Sequence, residues 1–486
     1  MRFAVVHALN AEKSLTHFAA FGYWATKERT LARNLSLLGV ALLYGCGSST
    51  AAGGAGASAG NTSEIGGNSP AGAGAGTGAQ SGGGGATSGA AGSAAGGVSG
   101  LSGAGGSAGA GAATGGAASG AHTQRCSDPV KTSLPATAPA LVAGVWKNIT
   151  PATHLGFLGA PETMIAQGIA IDPCDTTTLY WGTTPYQTDK GGLFKTTDGG
   201  GSWTKIGPFD EPLHIRIDPT NPKHLYVGDG VRGNTLGFWV SHDGGDTWAK
   251  PDGFEKVAAS IGITQSSGME DIYDVGVDPT DFQHVLLSFH SPWNWNEFDR
   301  GAGVLESRDG GDTWKVIERQ GWGQGHSIRF LYEPELGIGD ANTWLLGTQG
   351  PGYWRTTDAG KTWTKVTDNG IAHGGGTSYY NRDGVLFASG NPKNLRSTDN
   401  GATWTPTDPG GSTCVFGDGK HLYSAPALGK GPIFVSDESD GLTWKPFDAG
   451  QVFENGGPYE MVFDKVNHVL YASMWEQGVW ALKVVE

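Results

Sequence analysis

The residues best suited to chemistry lie in one short segment. Trp293, Trp295, Glu297, Asp299 and Arg300 fall between positions 293 and 300. Flat indole rings stack on pyranose faces, and carboxylates beside them bind hydroxyls or move protons. That combination points to a sugar site, although the same tryptophans could simply fold their loop onto the body of the protein. Histidine offers a second chemistry. His214, His326 and His373 each stand where an apolar segment begins, and His290 lies close in sequence to the Trp segment. With Glu270 or Asp271 they could bind a divalent ion. None of the spacings is a metal motif, so no cofactor is expected. Arg216 and Arg329 follow two of these histidines. They either reach an acidic ligand or are paired to bury their charge.

A repeat must position these residues. TTDGGGSW (196–203), SHDGGDTW (241–248), SRDGGDTW (307–314), TTDAGKTW (356–363) and STDNGATW (397–404) share one pattern. A degenerate copy, SDESDGLTW, covers 436–444. Asp198, Asp243, Asp309, Asp358 and Asp399 can accept backbone N–H bonds across a tight turn, and the glycines supply positive φ. A motif recurring at this period signals a propeller or solenoid. Before each turn come three strands, such as IAIDP (169–173), TLYWG (178–182) and GLFKTT (192–197), and a fourth, such as WTKIG (203–207), leaves it. Four antiparallel strands make one blade. The C-terminal strands around 459–463, 469–473 and 478–484 lack a fourth, and GVWKNITP (144–151) supplies it. The expected fold is therefore all-β, a seven-bladed β-propeller over 144–486 whose last blade is closed by the N-terminal strand. The Asp turns and the Ile-Asp-Pro turns share one face, the bottom. The loops joining second to third strands, and blade to blade, share the top. His290 and the Trp segment fall there.

The repeated turns resemble the Asp-boxes of sialidase-like and related propellers, where they are structural. The segment Thr188-Asp189-Lys190-Gly191-Gly192, after the strand TLYWG, is similar to one in xyloglucanase-type endoglucanases. There the Asp is one of two catalytic carboxylates in a cleft between two propellers. The resemblance implies that Asp189 is a candidate acid or base. This chain has room for one propeller, so a second carboxylate would be local, such as Asp271 or Glu297. True sialidases have six blades and a Phe/Tyr-Arg-Ile-Pro segment, whereas this chain has HIRIDP at 214–219.

Composition frames the rest. Of 486 residues, 83 are glycine and 17 are tryptophan. Residues 47–121 are mainly Gly, Ala, Ser and Thr, with one charge, Glu64, and almost no large apolar side chains, and cannot form a core. They are expected to be a flexible tether of roughly 50 Å reach. Residues 122–143 are a lead-in to the propeller. Residues 1–46 carry a basic lead and an apolar stretch ending in Leu-Tyr-Gly-Cys46. This resembles a bacterial lipoprotein signal, which implies lipidation of Cys46 and an exported protein of the outer membrane or cell surface, held by its lipid alone. An ordinary signal peptide is the alternative. A Cys126–Cys174 disulfide would suit an exported protein and join the closing strand to the first blade, leaving Cys414 buried. The formal net charge of −14, with no basic stripe, excludes a nucleic-acid partner. Two functions fit. One is a monomer that binds a polysaccharide or glycoconjugate through its top face, and as a glycoside hydrolase would cut it with Asp189, Asp271 and Glu297. In it Trp293, Trp295, Asp299, Arg300, His290 and His326 would hold the ligand. The other is a non-catalytic module for protein partners, as photosystem-assembly and sortilin-type propellers are.

Overall fold

The structure, a computed structural model, describes residues 133–158, 168–183, 191–230, 235–261, 272–290, 302–350, 352–371, 376–409, 411–426, 431–447, 453–454 and 457–485. Their strands form seven antiparallel sheets, one per blade. Blade 1 runs from Ile169–Ile171 to Thr204–Ile206, and blade 2 from Pro212–Ile217 to Gly237–Ser241. Blade 3 spans Ile272–Asp278 to Lys315–Ile317, and blade 4 spans Gln324–Glu333 to Thr364–Thr367. Blades 5 and 6 run from Ser378–Tyr380 to Thr405–Thr407 and from Ser412–Gly417 to Lys445–Pro446. Blade 7 takes Pro458–Asp464, Val469–Met474 and Gly478–Lys483 from the C-terminal end, and Trp146–Asn148 as its outer strand. Trp146 pairs with Leu482 and Asn148 with Trp480. The expected closure of the ring is therefore present.

The core is divided among the seams. Seven separate apolar clusters each join two neighbouring blades. Strand residues alternate between the two faces of a sheet, so each blade feeds two clusters. In blade 1, Leu179 and Trp181 face blade 7, while Tyr180 faces blade 2. Such a core cannot form from one blade alone.

Blade 2 departs from the four-strand pattern. Its fourth strand is reduced to one bridge, Val240 to Ala249. The helix Asp252–Ser260 follows Pro251 and buries Phe254, Val257 and Ala258 in the seam with blade 3. Proline at 251 cannot donate a ladder bond, which stops the strand where the others continue.

The Asp turn has one geometry in five copies. The Ser or Thr two residues before the Asp donates its hydroxyl to Oδ1, at 2.7 to 2.9 Å. The hydroxyl oxygen itself accepts the N–H two residues after the Asp, as Thr356 Oγ1 does from Gly360 at 3.1 Å. The residue four beyond gives the Asp both its N–H and its hydroxyl, as Thr362 does at 2.9 and 2.6 Å. The backbone is left-handed just after the Asp even where Ala359 and Asn400 stand, so the bonding rather than glycine sets the turn. The sixth copy differs: Asp437 bonds Ser439, and Asp440 takes the Thr443 N–H. Four of these turns are also tied to their own blade's first hairpin, by the N–H of Gly199 to Thr177, Gly244 to Lys223, Gly310 to Gln283 and Ala359 to Asn342, at 2.8 to 3.0 Å. Both sets of turns thus share the bottom edge.

Candidate functional site

The sequence assigns its candidate residues to the top edge. Asp189, Asp271, Glu297, Trp293, Trp295, Asp299, Arg300, Glu270 and His373 lie outside the described residues. The strands that flank them are described. Leu179–Thr183 and Gly192–Thr196 bracket the Asp189 segment, and Asp281–Phe289 and Val304–Ser307 bracket the Trp segment. Both are connections from second to third strand, so both leave from and return to the top edge. Gly191 sits against the backbone of the next crossover. A Cβ there would stand 1.9 Å from the Asp210 carbonyl oxygen.

The pore mouth is lined by rings. Tyr459 and Trp475 of blade 7 are stacked, with centroids 6.2 Å apart. His214 of blade 2 lies 5.7 Å from Tyr459. Tyr273 of blade 3 stacks on His290 at 4.9 Å and meets His326 at 4.5 Å. His290 and His326 are thus neighbours, 5.0 Å apart, while His214 belongs to the other ring group. Among the described residues no three His, Cys, Asp or Glu side chains come together as metal ligands.

Just inside the mouth the pore is crossed by a buried charge network. Arg216 Nη2 donates to Asp274 Oδ1 at 2.9 Å and to His214 Nδ1 at 3.2 Å. Its Nη1 meets Glu460 at 3.1 Å and its Nε meets the Val275 carbonyl at 2.7 Å. Arg329 Nη1 lies 3.3 Å from Asp274. Burial alone would raise the Asp274 carboxyl, but the Arg329 and Arg216 guanidiniums and the Ile328 N–H hold it below the usual range. Burial pushes His214 down to about 4, against the pull of Asp274, so the ring is neutral at pH 7. A neutral ring with Nδ1 as acceptor explains why the His214–Asp274 distance of 3.3 Å is not an ion pair: the arginine bridges two acceptors. Arg216 and Arg329 are thus paired rather than offered to a ligand. Cys414 lies on the inner strand of blade 6, its thiol pushed by burial to about 12, which makes it unreactive.

Asp274 and Glu460 are absent from the sequence-derived candidates, yet one signal could have found them. Each stands four residues before an Asp that ends its inner strand, Asp278 or Asp464. His214 and Cys414 hold the same register before Asp218 and Asp418. Aligning the inner strands on those residues brings the polar side chains to one level of the pore.

Asp229 is a second omission. It ends the second strand of blade 2 at the top edge and is fully buried. Its carboxylate accepts the Glu211 N–H at 2.9 Å and the Thr235 hydroxyl at 2.5 Å, and Thr235 accepts the Asp210 N–H at 2.9 Å. Burial pushes its carboxyl up to about 7. This knot ties the crossover 209–211, on which Gly191 packs, to the loop that ends at Thr235.

A cavity of about 330 Å³ lies elsewhere, at the bottom edge between blades 3 and 4. Glu306, Arg308, Trp314 and Lys315 line it. Glu306 is already engaged by His284 at 3.2 Å, Arg308 at 2.8 Å and Lys315 at 2.9 Å. Burial opposes its charge, but these donors lower it to about 2. Its acceptors are spent, so the cavity is a structural knot rather than a site.

Comparison with known proteins adds the chemistry of relatives. No protein-family description matches the chain. The chain is similar to the xyloglucanase Xgh74A of Acetivibrio thermocellus, 29% identical over 171 residues that make 32% of this chain and 20% of that protein. It is also similar to a xyloglucanase of a Paenibacillus species, 23% identical over 253 residues, 47% of this chain and 23% of that one. These relatives are xyloglucanases. The chain spans about a fifth to a quarter of their own length. Among solved structures, YCF48 from Cyanidioschyzon merolae aligns with a TM-score of 0.43 at 16% identity, over 70% of this chain and 98% of that one.

Proposed function

We propose that this propeller binds a polysaccharide of the β-linked glucan class, xyloglucan foremost, through the loops on the top edge of blades 1 to 3. The observation that carries this reading is the sequence similarity to xyloglucanases. Two features support it. The Asp189 and Trp segments both spring from the top edge, and the pore beneath is filled by paired charges and stacked rings. A ligand would therefore lie across the loops rather than enter the channel. Indole rings close in sequence to carboxylates, as at Trp293, Trp295 and Glu297, suit a glucan chain. In this reading hydrolysis is a further step, which needs a carboxylate opposite Asp189 at a separation of roughly 5 to 10 Å.

Affinity electrophoresis in xyloglucan, with a reducing-sugar assay on the same protein, tests both steps. Retardation by xyloglucan is expected, reduced about tenfold in affinity by Trp293→Ala or Trp295→Ala. Reducing ends that appear with the wild type and vanish with Asp189→Asn would place catalysis on that residue. Migration unchanged by every glucan tried would overturn the binding reading and favour a protein partner.

A further inference from the structure

The sixth Asp turn carries a glutamate where four others carry a small residue. Gly199, Gly244, Gly310 and Ala359 each give their N–H to the first hairpin of their blade, and in blade 6 Glu438 gives its own to the Lys420 carbonyl at 3.0 Å. In two seams a tyrosine of the preceding blade reaches that position. Tyr471 donates to the Gly199 carbonyl at 3.4 Å and Tyr180 to the Gly244 carbonyl at 2.9 Å. Those acceptors are backbone and take up no proton near neutral pH. In the seam between blades 5 and 6 the acceptor is a carboxyl. Tyr379 of blade 5 donates to Glu438 Oε1 at 2.7 Å, and Gly419 of blade 6 gives its N–H to Oε2 at 2.7 Å. The Asn381 side chain of blade 5 adds a bond to the Glu438 carbonyl at 3.0 Å.

Glu438 is buried, at 3% exposure, and among the described residues no guanidinium or ammonium pairs with it. From blade 6 it faces Asp418, a carboxylate already met by the Tyr423 hydroxyl at 2.7 Å, His421 Nδ1 at 3.3 Å and the N–H groups of Lys420 and His421. From blade 5 it faces the Tyr379 phenol and, at longer range, the exposed Arg382. On its own turn Asp437 is exposed and bonds Ser439, and Asp440 takes the Thr443 N–H. That turn also lacks the closed bonding of the other copies. The Ser436 hydroxyl meets the Asp437 carbonyl at 3.3 Å instead of a carboxylate.

We propose that Glu438 is a proton-dependent latch at the bottom of the seam between blades 5 and 6. Protonated, it stays between Tyr379 and Gly419 and joins the two blades. Ionised, it favours water, its proton passing to the solvent, and the bottom of the seam opens more often. Burial pushes the folded carboxyl up to about 7. Asp418 adds to that push, while the Tyr379 hydroxyl, the Gly419 N–H and Arg382 oppose it. Released into water, a glutamate ionises at about 4.3. Between those two values the closed seam holds a proton that the open seam has lost. Closure is therefore tightest below the lower value, weakens as pH rises to the upper one, and changes no further above it.

Hydrogen exchange read by mass spectrometry on the full chain, at pH 5 and pH 7.5 and corrected for the intrinsic rate, tests the latch. Segments 378–381 and 417–421 are expected to open roughly fiftyfold more at the higher pH. Glu438→Gln has no proton to lose there and should remove most of that difference. Tyr379→Phe leaves the carboxyl in place but deletes a donor to its ionised form, so the pH at which opening levels off should rise. Equal opening of the wild type at both pH values overturns the proposal. So does an undiminished difference in Glu438→Gln, or a levelling-off point that Tyr379→Phe leaves where it was.

Discussion

Two fully buried aspartates show how a neighbour decides what burial does. Asp274 lies between Arg216 and Arg329 and stays ionised. Among the described residues Asp229 is met by the Thr235 hydroxyl and the Glu211 N–H and by no guanidinium, and burial pushes it up to about 7. Asp210 nearby raises it further, and Lys250 opposes weakly. Unfolded, the group ionises near ~3.9. Between these two values the folded protein holds a proton that the unfolded chain has lost. Asp229 therefore makes stability fall as pH rises from about 4 to about 7, and adds no slope above that. Asp229→Asn removes the slope. Urea unfolding at pH 4.5 and pH 7.5 should show the variant gaining on the wild type by up to roughly 3 kcal/mol between the two. A wild-type-to-variant difference that is the same at both pH values would refute the assignment.

The blades were legible because their turns are local. An Asp, a hydroxyl two residues before it and another four after it complete a closed set of bonds without help from elsewhere, so eight residues of sequence announce the turn. The helix Asp252–Ser260 was not legible, since it fills the place of a fourth strand and its apolar face matters only against blade 3. Asp274 and Glu460 were missed for a related reason: their partners come from other blades, far away in sequence. The turns also differ in a way that local pattern hides. Asp358 makes only its own set of bonds, to Thr356 and Thr362. Asp198 is more buried and takes an added bond from Thr137 in the lead-in. Trp203 of that turn bonds the Ile149 carbonyl at 2.9 Å, where Trp248, Trp314 and Trp363 bond their own turns. Asp198→Ala should therefore cost about 1 kcal/mol more than Asp358→Ala in chemical denaturation. Equal losses would mean that the lead-in adds nothing to the turn.

At the scale of the ring, one seam differs from the others in kind. Six blades are made of consecutive strands, while the seventh joins the two ends of the fold through Trp146–Asn148 and Gly478–Lys483. Trp146 is the anchor of that join. It is buried and meets Phe453 edge to face at 6.2 Å, in the cluster that also holds Tyr423 and Leu482. Trp203, at the corresponding place in blade 1, packs on Trp181 at 6.2 Å. Replacing either by Ala removes a large ring from a seam, a loss of about 3 kcal/mol or more. The consequences should nevertheless diverge. With Trp203→Ala the outer strand of blade 1 is still covalently held between its neighbours. With Trp146→Ala the closing strand is loosened, and the edge at Gly478–Lys483 is bared to other copies of the chain. Size-exclusion chromatography with light scattering should find Trp203→Ala less stable but monodisperse, and Trp146→Ala forming dimers or larger species as concentration rises. If both variants remain equally monodisperse at concentrations where both are folded, closure by the N-terminal strand is not what protects that edge.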